Sequence, residues 1–187
     1  MNTRDLVLVA LFAAIIIVLG FIPPITLGFI PAPITAQTLG VMLTGSVLGA
    51  KRGALSCVLI VILVAAGLPI LAGGRGGFNI ITGPTGGFLV GWIAAAFVTG
   101  YLAERMIAED RSGWQQITSF FVASAIGGIA VLYLIGVPWL TAVTGMPFTK
   151  AVTGSMAFVP GDIIKAIIAA FAARAAYIGY PLLPVRQ

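Results

Sequence analysis

Histidine is missing from all 187 residues, and cysteine occurs once, as Cys57 within an apolar run. A disulfide framework and Cys/His metal sites are therefore excluded, and Cys57 reads as packing. Charge is scarce as well: 8 % of residues are Asp, Glu, Lys or Arg, against about 25 % in an ordinary soluble domain. Such a chain cannot cover itself with a wet surface. No Ser/His or Cys/His pair is possible, and only one aspartate, Asp162, falls inside an apolar span. An intramembrane protease would want a serine with a base partner or paired aspartates, and the chain is expected to be no enzyme. The phosphate-cradling patterns GxGxxG and GxxxxGK[ST] are also absent, so nothing here would hydrolyse ATP. No cofactor is implied.

What the chain has in quantity is apolar sequence: 60 % hydrophobic residues and a mean hydropathy of +1.14. The runs are long and do not alternate, which predicts an all-α integral membrane protein forming one domain over residues 1–187. Six transmembrane helices are expected, over residues 5–21, 35–50, 53–71, 85–103, 117–137 and 158–178. The first, about 26 Å long at the usual helical rise, could pass for a signal peptide, but no convincing cleavage site follows it and it is kept as a helix. Ala10 and Ala14 within it make a small-xxx-small pattern that allows close approach of another helix. The pattern is common in membrane helices and is weak alone.

Between the first two spans, Pro23, Pro24, Pro31 and Pro33 rule out a continuous helix. The stretch is too apolar for an exposed loop, and with Thr26, Thr35, Gln37 and Thr38 it reads as a structured outer loop folded over the helix ends. The stretch AGGRGGFNIITGPTGG (72–87) is too glycine-rich for a helix. It is either a plain turn or a place where backbone N–H groups approach a ligand, with Asn79 able to donate and accept. Residues 138–155 form a polar-aromatic link, and Pro181 and Pro184 end the last span.

The net charge of +5 does not point to nucleic acid, because the basic residues stand singly at segment ends. They read as topology signals. With the N-terminus cytoplasmic, Arg4, Lys51, Arg52, Arg105, Arg111, Arg174 and Arg186 all lie inside, and only Arg75 and Lys150 lie outside. This bias predicts both termini cytoplasmic. It also brings the Pro-rich loop, the Gly-rich loop and the start of the sixth helix to one outer face.

FVPGDIIK (158–165) is the stretch that demands an explanation. Pro160 suits a first helical turn, and Asp162 then sits near the helix N-terminus, where the dipole favours a negative group. Lys165, three residues on, shares its face. Ionisable groups at membrane depth usually face a cavity or a partner. The pair is either an ion pair that only steadies the helix or part of a ligand site, with Asp162 accepting from ligand N–H groups and Lys165 meeting a carboxylate or carbonyl. A proton-linked small-molecule carrier using Asp162, or a non-transporting membrane scaffold, is the alternative to a small-molecule binder.

Taken together and in order, PAPITAQTL (31–39), LGAKRGALS (48–56), GLPILAGG (67–74), GPTGGFLVGW (83–92) and FVPGDIIKA (158–166) resemble the BioY family. These are the biotin-specific substrate-binding subunits of energy-coupling-factor transporters. The resemblance covers nearly the whole chain. It implies six helices with cytoplasmic ends in a prokaryotic cell membrane and capture of biotin from outside. It also implies uptake with a partner module of one transmembrane coupling protein and two ATPase subunits; surrounding lipid is the remaining partner. Asp162 and Lys165 match the family's polar pair that contacts biotin, and Asn79 matches a third contact. Asn79 and Asp162 would read the ureido ring and Lys165 a polar end of the ligand. Thr35, Gln37 and the turn Gly83, Pro84, Thr85, Gly86 and Gly87 would shape or close the pocket. Phe29, Phe78, Phe88 and Trp92 could cover the bicyclic ring. Ala10 and Ala14 resemble the surface by which such subunits dock on the coupling protein.

Overall fold

The computed structural model describes residues 2–108 and 112–183. Arg111, Pro184 and Arg186 lie outside these residues. Among the described residues the chain is all helical, apart from two isolated antiparallel bridges, Ile25 with Ile34 and Leu71 with Arg75. In chain order the helices are α1 Thr3–Leu19, α2 Gln37–Leu48, α3 Ala50–Ala65, α4 Phe78–Thr82, α5 Gly86–Met106 and α6 Gly113–Ala125, followed by a π-helical segment Ile126–Val131, then α7 Leu132–Thr144, α8 Phe148–Met156 and α9 Val159–Gly179.

Two continuous helical stretches are long and apolar enough to cross a membrane: α5, and the 32-residue run Gly113–Thr144. The pair α8 and α9, bent by 49°, makes a third candidate. Helix α1 has 17 residues and α3 has 16. Helix α2 has only 12 residues, yet nine of them are buried, because it packs against α1, α3, α5 and α9 at once. Its modest polarity (Gln37, Thr44 and Ser46 are buried) is tolerable because it faces protein. Elsewhere the bundle is held by small residues: Ala95, Ala96, Ala166, Ala169 and Ala170 have no exposed surface. That suits helix association in lipid, where close van der Waals packing replaces the hydrophobic drive. Gly100 is one example, since a Cβ there would stand 2.3 Å from the Gly49 carbonyl carbon. Large side chains such as Leu134, Ile164, Ile168 and Phe171 point outward.

One end of the bundle carries the chain's start and the α2–α3 turn. Gly49, at φ +81°, opens the α3 N-terminus. Glu104 at the end of α5 accepts from the Ala50 N–H at 2.8 Å, so an acid caps the positive end of α3. Arg52 links Asp5 at 3.6 Å to the Leu182 carbonyl at 2.9 Å. The opposite end carries the α1–α2 loop, α4 and the α8–α9 bend. The loop is tied by reciprocal Ile25 and Ile34 backbone bonds of 2.9 and 2.8 Å, and its own Ile30 and Ala32 are buried.

Three departures from the sequence reading have local causes. Within the Gly-rich stretch, FNIIT contains no glycine and closes one helical turn, α4. The link after the fifth span contains α8, a short helix that buries Ala151, Gly154 and Ser155. The helix expected to end at residue 137 runs on through Pro138 to Thr144. Tertiary contacts override the proline there. Gly136 lies against the Phe88 ring and Gly87 against Trp139, both too close to admit a Cβ without a shift.

Candidate functional site

Helix α9 begins just after Phe158, with Pro160 in its first turn and Asp162 there as well. The Asp162 carboxylate is buried, and three side chains from three helices converge on it. Lys165 Nζ, one turn along α9, donates to Oδ1 at 2.8 Å. Thr38 Oγ1 from α2 reaches the same oxygen at 3.4 Å. The Tyr133 hydroxyl from α7 donates to Oδ2. Lys165 also donates to Thr38 Oγ1 at 2.9 Å, closing a triangle between α2 and α9. A buried charge is costly unless it is paired and hydrogen-bonded. Here both conditions are met, and the pair is neutral as a unit.

This cluster forms part of the wall of a cavity enclosed by α2, α5, α7, α9 and the α1–α2 loop. The remaining wall is mainly apolar: Ile34, Leu71, Phe88, Leu89, Trp92, Leu132 and Phe158. Phe88 meets Tyr133 edge to face, with ring centroids 6.3 Å apart. The α1–α2 loop supplies one side through Ala32, Pro33, Ile34 and Thr35. A second, more open crevice lies between Pro24–Pro33, Ala72, Gly73 and Met146, and shares Ala32, Pro33 and Arg75 with the cavity.

Of the residues singled out from sequence, Asp162, Lys165, Thr35, Gln37 and Thr85 line the cavity. Phe88 and Trp92 do too, whereas Phe78 is exposed and Phe29 belongs to the outer crevice. Gln37 is committed elsewhere. Its Nε2 donates to the Ile16 and Ile70 carbonyls, both at 3.1 Å, and its Oε1 accepts from the Ala72 N–H at 2.9 Å. It therefore shapes the pocket by binding the end of α1 to the Leu71–Arg75 turn, and its two N–H donors are already used.

Asn79, Gly83, Pro84 and Gly86 are not part of the cavity wall. Asn79 is exposed on α4. The Gly83 carbonyl accepts from the Trp139 indole at 3.0 Å, and a Cβ on Gly86 would collide with the Ile81 carbonyl oxygen. The GPTGG turn thus seats the start of α5 against α4 and α7. Ala10 and Ala14 are exposed on one side of α1, beside exposed Leu6, Val7, Leu11 and Val18.

Three pocket residues carry no ligand signal in the sequence. Tyr133 stands in a wholly apolar run, VLYLIG, where an aromatic reads as packing. Thr38 was read only as one of several polar residues in the loop. Arg75 was read as a topology charge, but it reaches the cavity from the tight turn Leu71–Arg75, where Gly73 and Gly74 hold φ +79° and +68°. Burial lowers its guanidinium from the ordinary arginine value.

An apolar helical bundle that sets a buried ion pair into the wall of a cavity at one end has the build of the membrane subunits that bind small molecules. Comparison with known proteins narrows the class. The profile of the BioY family matches residues 1–181. The biotin transporter BioY of Rhizobium etli is 62 % identical over the full length of both chains. That of Rhodobacter capsulatus is 46 % identical, covering 91 % of this chain and 92 % of its own. Among solved structures, the S-component for biotin from an ECF-type ABC transporter superposes with a TM-score of 0.86 at 30 % identity, covering 95 % of each chain. The chain belongs to the BioY family.

Proposed function

We propose that the chain is the biotin-binding membrane subunit of an energy-coupling-factor transporter and takes part in biotin uptake, with no catalytic chemistry of its own. The observation that supports this most is the Asp162–Lys165–Thr38–Tyr133 cluster set into an otherwise apolar wall. Its remaining hydrogen-bonding capacity suits a polar head such as the ureido ring, while Phe88, Trp92 and Leu132 suit the fused bicycle. Thr35 and Thr85 offer hydroxyls beside it. Asn79 would join the site only through a movement of the Gly-rich loop.

The subunit would cross a prokaryotic cell membrane six times, with both termini cytoplasmic and the α1–α2 loop outside. The charge bias along the sequence supports that orientation. So does the placement of Asp5, Arg52 and Glu104 at the end opposite the cavity. A chain that lacks a phosphate-binding loop needs an external source of energy for net uptake. A transmembrane coupling protein and two ATPase subunits would supply it, docking along Ala10 and Ala14. A proton-linked carrier is disfavoured by the pairing of Asp162: its carboxylate already holds three donors, one of them the Lys165 ammonium.

Calorimetric titration of the detergent-purified, ligand-free protein with biotin tests this reading. Nanomolar one-to-one binding is the expected result. Absence of binding by demonstrably folded protein would overturn it.

A further inference from the structure

Resting on the biotin reading, we propose that Arg75 is the anion subsite of the cavity and reads the terminal carboxylate of the ligand's side chain.

The argument begins with the charge count. Asp162 and Lys165 cancel each other at 2.8 Å, and Lys165 spends a further donor on Thr38. Arg75 is the remaining ionisable group of fixed charge in the wall. Its Nε donates to the Ala72 carbonyl at 3.1 Å. Among the described residues its two terminal nitrogens have no hydrogen-bond, carboxylate or aromatic partner. The cavity wall therefore carries one uncompensated positive charge, which selects for a ligand with one negative charge.

Position supports the same assignment. Arg75 lines both the inner cavity and the outer crevice, so it stands where the two meet, whereas the Asp162 cluster lies in the inner cavity alone. Biotin has a neutral ureido head and a carboxylate at the end of an alkyl chain. Its head would lie at Asp162 and its tail would run toward the mouth. The guanidinium is also held in place before any ligand arrives. Reciprocal backbone bonds of 3.0 and 3.1 Å close the Leu71–Arg75 turn, its own Nε bond fixes the side chain, and Gln37 anchors the turn through Ala72. A planar fork with its terminal nitrogens free is the geometry that accepts a carboxylate through two parallel bonds.

The test compares biotin with biotin amide, which keeps the bicycle and the chain but has no charge. Both are titrated into ligand-free wild type, Arg75→Gln and Arg75→Lys. Wild type should prefer biotin by about 10- to 100-fold, the scale of a charge-assisted hydrogen bond. Arg75→Gln should lose affinity for biotin by a similar factor and lose the preference with it. Arg75→Lys, which keeps the charge without the fork, should retain an intermediate preference. Equal losses for biotin and the amide in Arg75→Gln would make Arg75 a mere support of the turn and overturn the subsite. An undiminished preference in that variant would also overturn it. Wild type that binds neither compound would remove the biotin reading itself and the subsite with it.

Discussion

The Tyr133 hydroxyl of α7 donates to the Asp162 carboxylate of α9, joining residues 29 positions apart. This bond occupies Oδ2, while Lys165 and Thr38 occupy Oδ1. Asp162 is thereby oriented from both sides. Tyr133→Phe should weaken biotin binding by about 1–3 kcal/mol, the cost of leaving a buried charged acceptor short of a donor. Titration of the purified variant measures it; wild-type affinity would show that the hydroxyl only fills space.

The ion pair itself makes a stronger demand. Asp162→Asn and Lys165→Ala should each weaken binding by about 2–5 kcal/mol, the scale for breaking a desolvated charged contact. Lys165→Ala should in addition lower thermal stability, because it strands a buried carboxylate. Calorimetry and a melting curve in detergent separate the two effects. Equal affinity in folded variants would reduce the pair to a helix brace.

Gln37 should behave differently from these residues. Gln37→Leu strands the Ala72 N–H and removes the donors to Ile16 and Ile70, at a cost of about 1–3 kcal/mol for polar groups left unmade. The melting temperature of the ligand-free protein should fall by several degrees. A variant that melts like wild type but cannot bind ligand would instead make Gln37 a direct contact.

Ala10 and Ala14 lie on the exposed side of α1, away from the cavity. Bulky replacements there, such as Ala14→Trp, should stop partner-dependent uptake while leaving biotin affinity within about twofold, since distant sites without shared partners act independently. Uptake assays in cells, paired with titration of the purified variant, read the two properties separately. Persisting uptake would leave those alanines as lipid-facing residues only.

Much of this was legible because charge is so scarce. Asp162 and Lys165 announce themselves in an apolar run, and Pro160 places Asp162 in a first helical turn, where the structure has it. Convergence of the Pro-rich loop, the Gly-rich loop and α9 followed from the distribution of lysine and arginine. The cavity draws residues from all three. Tyr133 was not legible, because an aromatic in VLYLIG has the same signature whether it packs or donates. Arg75 was hidden by the same rule that gave the orientation: a lone basic residue outside a span reads as a topology charge. The GPTGG turn misled in the other direction. Its pattern suggested a pocket wall, but only Thr85 reaches the cavity, and the neighbouring glycines serve the close approach of α5 to α4 and Trp139. Helix α8 was missed because threonine and glycine have poor helical propensity, which burial of Ala151, Gly154 and Ser155 overrides.

The π-helical segment Ile126–Val131 sets the azimuth of everything that follows it. A π turn holds about one residue more than an α turn, and one residue of an α-helix corresponds to a rotation of about 100°. Tyr133 lies two positions beyond the segment, so its aim at Asp162 depends on that surplus residue. Gly127 and Gly128 make room for the wider turn, one against Thr99 and the Ala95 carbonyl, the other against Met42. With one residue fewer in the segment, Tyr133 would be rotated by about 100° away from the carboxylate and α7 would contribute no donor to it.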